Sequence, residues 1–308
     1  MMLPVYQETD LIGPPTFDDN TWATAWGFGL LACCLSGTQS AHALDLDAGD
    51  YVAAPAGTTA GLLYLQGAER DHLYQRGERI ADSPGLDSQI GMLRLVHYTD
   101  LAGYRVAPQV LLPFGRLDGR NGLEDSSGLA DPIVAMPLWL LNDPARRRYF
   151  GITPYLFLPL GEYDGADALN LGENRWKLDL QAGFATGLTE KLSLDLAADV
   201  MFYGRNNHYG SGRWTHRQKP SYQYQGFLRY QLTPALDLRG GLSWLDGGEN
   251  RVDRQWLDDR QESGKWSLGF SWSVLPGTQV AATYGRDVEV ENGFREEHRL
   301  NMRLLQLF

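Results

Sequence analysis

The sequence predicts an all-β fold, a single closed antiparallel transmembrane β-barrel of about twelve strands. Three observations predict it. Apolar residues alternate with polar ones in long segments, the connectors between segments alternate between short turns and long polar loops, and Trp and Tyr gather near segment ends. The 308 residues include 35 Gly, 9 Trp, 15 Tyr and 11 Phe, with no Leu- and Ala-rich helical block, which favours many short strands. The net charge of −11 argues against nucleic acid, because phosphate binding needs a basic surface. It does not exclude membranes.

No apolar run reaches the roughly 18 residues that a membrane helix requires. The longest lies within Trp26 to Leu35 and is followed by SGTQSAHALDLD. Ala41-His42-Ala43 puts small residues where a signal peptidase reads them, so residues 1–43 are expected to be a signal peptide, cleaved before Leu44. Its n-region is atypical: it has no Lys or Arg, and Glu8, Asp10, Asp18 and Asp19 are acidic. Either the start is assigned too far upstream, or the first ~20 residues are an unstructured extension. Cys33 and Cys34 lie in this stretch; LLAC weakly resembles a lipoprotein box, but Leu31 fits it poorly. The plainer reading is two small apolar residues in a signal helix, leaving a mature chain with neither disulfide nor thiolate chemistry. Residues 44–57 read as a periplasmic or lumenal segment, and 58–308 as the barrel.

The strand segments follow in order. TAGLLYLQ, QIGMLRLVHY, GYRVAPQVLLPFG, ADPIVAMPLWLL and YFGITPYLFLPLG fill the first half. In the second half Trp176, Leu178, Leu180, Ala182 and Phe184 alternate with Lys177, Asp179 and Gln181, and KLSLDLAADV repeats the pattern after the turn GLTEK. SYQYQGFLRYQL, ALDLRGGLSWL, KWSLGFSWSV, TQVAATYGRDV and EHRLNMRLLQLF complete the set. Short connectors (TDLAG, NDPARR, GLTEK, LTPA, LPGT) alternate with long ones near 67–87, 116–128, 161–173, 204–219, 246–262 and 287–294. Turns at one end and loops at the other is the arrangement of an outer-membrane barrel.

A sandwich would also bury one face of such strands. Three features favour lipid instead. Tyr104, Trp139, Tyr203, Tyr230, Trp244, Trp266 and Tyr284 sit near segment ends, as an interfacial girdle would. Several segments reach the ~9–11 residues needed to cross a bilayer. The last strand puts Leu300, Met302, Leu304 and Phe308 on one face, interrupted by Gln306, and a terminal Phe resembles the signal that bacterial barrels present to their assembly machinery. Pro108 and Pro113, Pro132 and Pro137, and Pro154 and Pro159 recur five apart on three consecutive segments. Proline cannot donate a ladder bond, so these mark rims and bulges or, more sharply, a weak seam in the wall.

SGLADPIVAMPLWLL, YFGITPYLFLPLGEYDG and NLGENRWKLDLQAGFATGL together resemble the meta-pathway phenol-degradation family of outer-membrane proteins. The likeness is carried by Gly128 to Pro132, Pro159 to Asp164 and Asn170 to Trp176, and runs from about Gly49 to the C-terminus. It implies an outer-membrane barrel that passes small, often hydrophobic or aromatic, compounds, and it carries over no catalytic set.

With the leucines facing lipid, the candidate lumen lining is Arg105, Lys177, Asp179, Asp195, Asp199, Arg229, Asp237, Arg239, Lys265, Asp287, Arg299 and Arg303. A Lys or Arg on the lipid face at mid-depth costs about 2–4 kcal/mol, which fixes this orientation. These residues brace the wall, line a path, or both. LLYL, VAMPLWLL and YLFLPL are apolar on both faces, so that half has an apolar inner wall or is sealed by segment 44–57. Catalysis needs a Ser with an oriented His. His97 and His298 fall on strands without a serine motif, while His208 and His216 fall with Ser211 in a loop expected to be mobile and wet. Glu162, Asp164 and Asp167 lack calcium-loop spacing, and neither cofactor nor metal is expected. The sequence therefore reads as a channel for passive uptake of small organic molecules, its partners outer-membrane lipid and the assembly machinery. The alternative is a plugged barrel acting through its loops as a structural, adhesive or receptor element.

Overall fold

Strands that turn one face to hydrocarbon find no water for their backbone, so their sheet must close on itself. The structure is a computed structural model describing residues 45–81 and 83–308, and twelve antiparallel strands close in this way. They are β1 (Thr59–Glu69), β2 (Gly85–His97), β3 (Tyr104–Val106 continuing as Gln109–Arg120) and β4 (Ser126–Leu129, Ile133–Ala135 and Leu138–Asp143). Then come β5 (Arg148–Phe157), β6 (Lys177–Gly187), β7 (Leu192–Tyr203) and β8 (Ser221–Thr233). The last four are β9 (Leu236–Asp246), β10 (Glu262–Leu275), β11 (Thr278–Val290) and β12 (His298–Leu307). Closure runs from Ala60↔Leu307 to Glu69↔His298, joining β1 to β12. The expected signal peptide and both cysteines lie outside the described residues.

Alternation decides what each face meets. Leu65, Leu93, Leu196, Leu242, Leu268 and Leu300 are exposed on the outer face, a band far too apolar to be left to water. Two members of the expected girdle turn the other way. Trp139 is buried inside because its Nε1 donates to the Tyr51 carbonyl at 2.8 Å. Tyr203 lies inward because its hydroxyl bonds Ser221 Oγ at 2.8 Å. Tyr104, Tyr230, Trp244 and Tyr284 do stand exposed.

The prolines thin the ladder between β3, β4 and β5. Pairing runs Leu138↔Val106 and Trp139↔Arg105, stops, resumes over Gln109↔Ala135 to Leu111↔Ile133, stops again, and resumes at Phe114↔Leu129. Proline carbonyls still accept across the breaks, from Ala107 N to Pro137 O at 3.0 Å and from Leu158 N to Pro132 O at 2.8 Å. The wall stays closed with fewer bonds.

At the long-loop end, residues His72–Gln75, Glu78–Arg79 and Gly293–Arg295 form a three-stranded sheet. Asn206–Tyr209, Trp214–Gln218, Asn250–Val252 and Gln255–Trp256 form a four-stranded one. The loop expected to be wet is therefore ordered around His216. Its ring stacks on Tyr209 at 4.7 Å and its Nε2 lies 2.8 Å from Asn250 Oδ1. Burial, with the positive charge of Arg175, pushes the imidazole down to about 4.

An unfolded His takes its proton near pH 6.5, so between those values the opened loop binds a proton that the folded loop refuses. Stability of this sheet is thus expected to fall as the pH drops from about 6.5 to 4, by up to about 3 kcal/mol. Amide exchange over residues 214–218 and 250–252, corrected for intrinsic rates, should show that slope in the native protein and lose it in His216→Gln.

Candidate functional site

Charges on the inner positions of a narrow tube leave bulk water, so each needs a partner. Of the twelve side chains expected to line the lumen, seven are buried, five are half-buried and none is exposed. Some are paired within the wall. Asp195 takes both Arg229 Nε and Nη2, at 2.5 and 3.0 Å, and Asp237 pairs with Arg239 at 2.7 Å. Asp287 accepts the Glu296 amide at 2.8 Å. Glu173, just outside β6, holds Arg175 at 2.5 Å and also Lys177. Burial pushes the Glu173 carboxyl up, but these two cations outweigh it and hold it down to about 2.

Arg105, Lys265, Arg299 and Arg303 meet residues 45–57, which run along the inside of the barrel. Asp45 bonds Lys265 at 3.0 Å and also Arg299, and accepts Gln223 Nε2 at 2.9 Å. Asp47 pairs with Arg303 at 2.9 Å, and Asp50 bridges Arg94 and Arg303 at 3.1 and 3.4 Å. Gly49 has φ +96°, a conformation glycine adopts freely, and lies against the Arg229 guanidinium. Arg239 donates to the Ala48 carbonyl at 3.2 Å, and Arg105 donates to that of Ala54. Tyr51 anchors the segment. Its hydroxyl reaches Thr153 Oγ1 at 3.0 Å and Gln181 Oε1 at 3.1 Å, and its ring lies over Gly183 and Gly151, which are register partners.

A cavity of about 270 Å³ remains beside the segment. Its lining includes the apolar Ile90, Met92, Pro113 and Tyr155 and the charged Asp45, Lys265 and Arg299.

Sequence reasoning missed Arg94, Arg70, Glu173, Glu296 and the Gly183 notch. Arg94 was findable: it shares the register of Ile90 and Met92, opposite the exposed Leu93 and Leu95. The three segments carrying the family likeness also meet physically. The buried carboxylate of Asp131 accepts the amides of Gly161 and Glu173, each at 3.0 Å. The histidines on strands have other partners, His97 with Thr59 at 2.9 Å and His298 with Tyr284 at 2.7 Å. Asp164 caps its own loop by accepting the Ala166 amide at 2.9 Å.

Fold and inner surface together define an outer-membrane β-barrel protein with a partly filled, charged lumen. The chain belongs to the family described as "Putative MetA-pathway of phenol degradation", whose profile matches residues 71–304. It is similar to the COG4313 outer membrane channel from Pseudomonas putida F1, at 39% identity and TM-score 0.82, over 86% of this chain and 100% of that one. It also resembles the β domain of the Bordetella autotransporter BrkA at 11% identity and TM-score 0.50, over 82% of this chain and all of that one. That second likeness concerns the fold alone. No protein of curated function matches the sequence.

A Cβ at position 183 would overlap the Tyr51 ring. Gly183→Val is therefore expected to unseat residues 45–57 and raise single-channel conductance in planar bilayers. Tyr51→Ala should do the same without altering the wall, and unchanged conductance in both would show that the segment does not restrict flow.

Proposed function

We propose that the protein is a channel for passive passage of small organic molecules with a hydrophobic or aromatic body. One observation carries the reading: the space left beside the segment is lined by the apolar Ile90, Met92, Pro113 and Tyr155 together with charges already held in ion pairs, such as Arg299 with Asp45 and Arg70 with Glu296. Such a lining accepts a flat apolar solute with a polar end, and few convergent polar groups are needed to orient it. The neighbouring channel and the family description support the same reading. No cofactor enters it, since a gradient drives the flux. The twelve candidate lining charges act here by bracing the wall and setting the polarity of the path. Phe308, exposed at the end of β12 and paired through its backbone with Thr59, is proposed as the residue that the assembly machinery reads.

Liposome swelling tests the proposal. A small aromatic solute is expected to enter proteoliposomes faster than a sugar of similar mass. Absence of both conductance and flux would instead favour a plugged barrel working through its loops, a reading that the lumenal segment itself supports.

The proline-thinned wall offers a lateral route, because fewer bonds must break there than elsewhere. Val110 and Val134 are register partners on its outer face. A Val110→Cys/Val134→Cys pair, oxidised, is expected to slow entry of the aromatic solute at unchanged ionic conductance, with reduction restoring it. Equal uptake in both redox states would exclude the route.

A further inference from the structure

Most lumenal charges are matched, and one pair is not. Asp179 and Asp199 are buried on neighbouring strands, β6 and β7, at relative exposures of 0% and 5%. Neither oxygen of Asp179 has a hydrogen-bond partner, and nor does Oδ1 of Asp199; Asp199 Oδ2 meets Gln181 Nε2 at 3.4 Å, and the Gln225 side chain also lies close to this carboxylate. Lys177, the nearest cation in sequence, is taken by Glu173 and lies over the Phe157 ring at 4.4 Å.

A third buried acceptor lies on the neighbouring strand, in register with Asp199. Gln223, on β8, is the register partner of Asp199 and is 1% exposed. Its Nε2 donates to Asp45 Oδ1 at 2.9 Å and Ser243 Oγ at 3.0 Å, which fixes the amide orientation. Its Oε1 is thereby left as another buried acceptor without a donor. Asp179 and Asp199 sit diagonally across the β6–β7 pair, since Asp179 faces Met201 and Gln181 faces Asp199. Such positions lie about 7–8 Å apart, close enough for both carboxylates to reach one ion between them.

We propose that Asp179, Asp199 and Gln223 form an inner-wall binding site for a hard divalent cation of the calcium class, completed by water. The donor chemistry selects the ion. The candidate ligand atoms of Asp179, Asp199 and Gln223 are all oxygens, two of the groups are carboxylates, and no imidazole or thiolate is among them, which favours calcium or magnesium over softer metals. Calcium fits better because it accepts irregular, partly wet shells, whereas magnesium demands a near-ideal octahedron. The charge also matches, since one divalent ion neutralises two carboxylates that would otherwise be buried unpaired. Bound there, the ion ties β6, β7 and β8 together beside Gln181 and Gly183, where Tyr51 docks. The site is independent of which solute passes.

Terbium replaces calcium, and Tyr155, the register partner of Asp179, and Tyr51 can sensitise its emission. Full-length protein in lipopolysaccharide-free detergent, stripped of metal and titrated with terbium chloride, is expected to emit on tyrosine excitation, and calcium should quench the signal. Asp179→Asn/Asp199→Asn is expected to abolish that signal while keeping the heat-modifiable gel mobility of a folded barrel. Glu124→Gln, an exposed loop change, should leave it intact. Wild-type protein should also melt at a higher temperature in calcium than in chelator, by mass action, and the Asn variant should melt alike in both. Silent wild-type protein, or a folded double variant that binds terbium unchanged, overturns the proposal. If the double variant does not fold, Asp199→Asn alone and the wild-type melting shift decide it: an unshifted midpoint, or undiminished emission, overturns it.

Discussion

In hydrocarbon, every strand N–H and C=O must be handed to a neighbouring strand, because no water will take it. That demand closes β12 onto β1, sorts the apolar side chains outward and leaves the charged ones a narrow interior. Five prolines, Pro108, Pro113, Pro132, Pro137 and Pro154, strain it most, because each removes a donor from the wall of β3, β4 and β5. Their carbonyls still accept, so the loss falls only on one side of each break. The same wall compensates by packing. Leu111, Ile133, Ala135, Tyr155, Phe157 and Met201 form a buried apolar cluster behind it, so contact area replaces part of what the ladder lacks.

Closure in turn creates an electrostatic problem. β2, β10 and β12 bring Arg94, Lys265, Arg299 and Arg303 into a space where the wall supplies too few anions. Asp45, Asp47 and Asp50 supply the rest. Barrel and segment are therefore one electrostatic unit. Removing Asp47 would leave Arg303 only its longer contact with Asp50 at 3.4 Å, so a mostly buried cation would be poorly compensated. The segment is held at several points along its length, so its release is a cooperative event rather than the fraying of a tail.

Much of this was legible in the sequence. Period-two alternation and the sorting of connectors fixed strand number, strand order and which face meets lipid, because both follow from local chain geometry. The inward placement of Arg299 or Asp195 follows from the same alternation. What escaped depends on contacts between residues distant in sequence. Trp139 looks like a girdle residue until the Tyr51 carbonyl, 88 positions away, offers its indole a partner inside. His216 looks like a loop histidine until Asn250 and Tyr209 enclose it. Residues 44–57 could be read only as periplasmic or lumenal, because Asp45 and Arg299 are 254 positions apart and no local pattern pairs them. Arg94 was hidden for another reason: leucines on both sides made its strand look apolar throughout.

The distribution of satisfied charge also shapes what can pass. The tethered aspartates occupy the cations on β2, β10 and β12, so an anionic solute must compete with carboxylates that are already in place and lose little entropy by staying. The surface left uncommitted is the apolar one of Ile90, Met92, Pro113 and Tyr155, beside the strands whose ladder is thinnest. The proposed preference for hydrophobic solutes thus rests on which charges the segment has already matched, rather than on an absence of charge in the lumen.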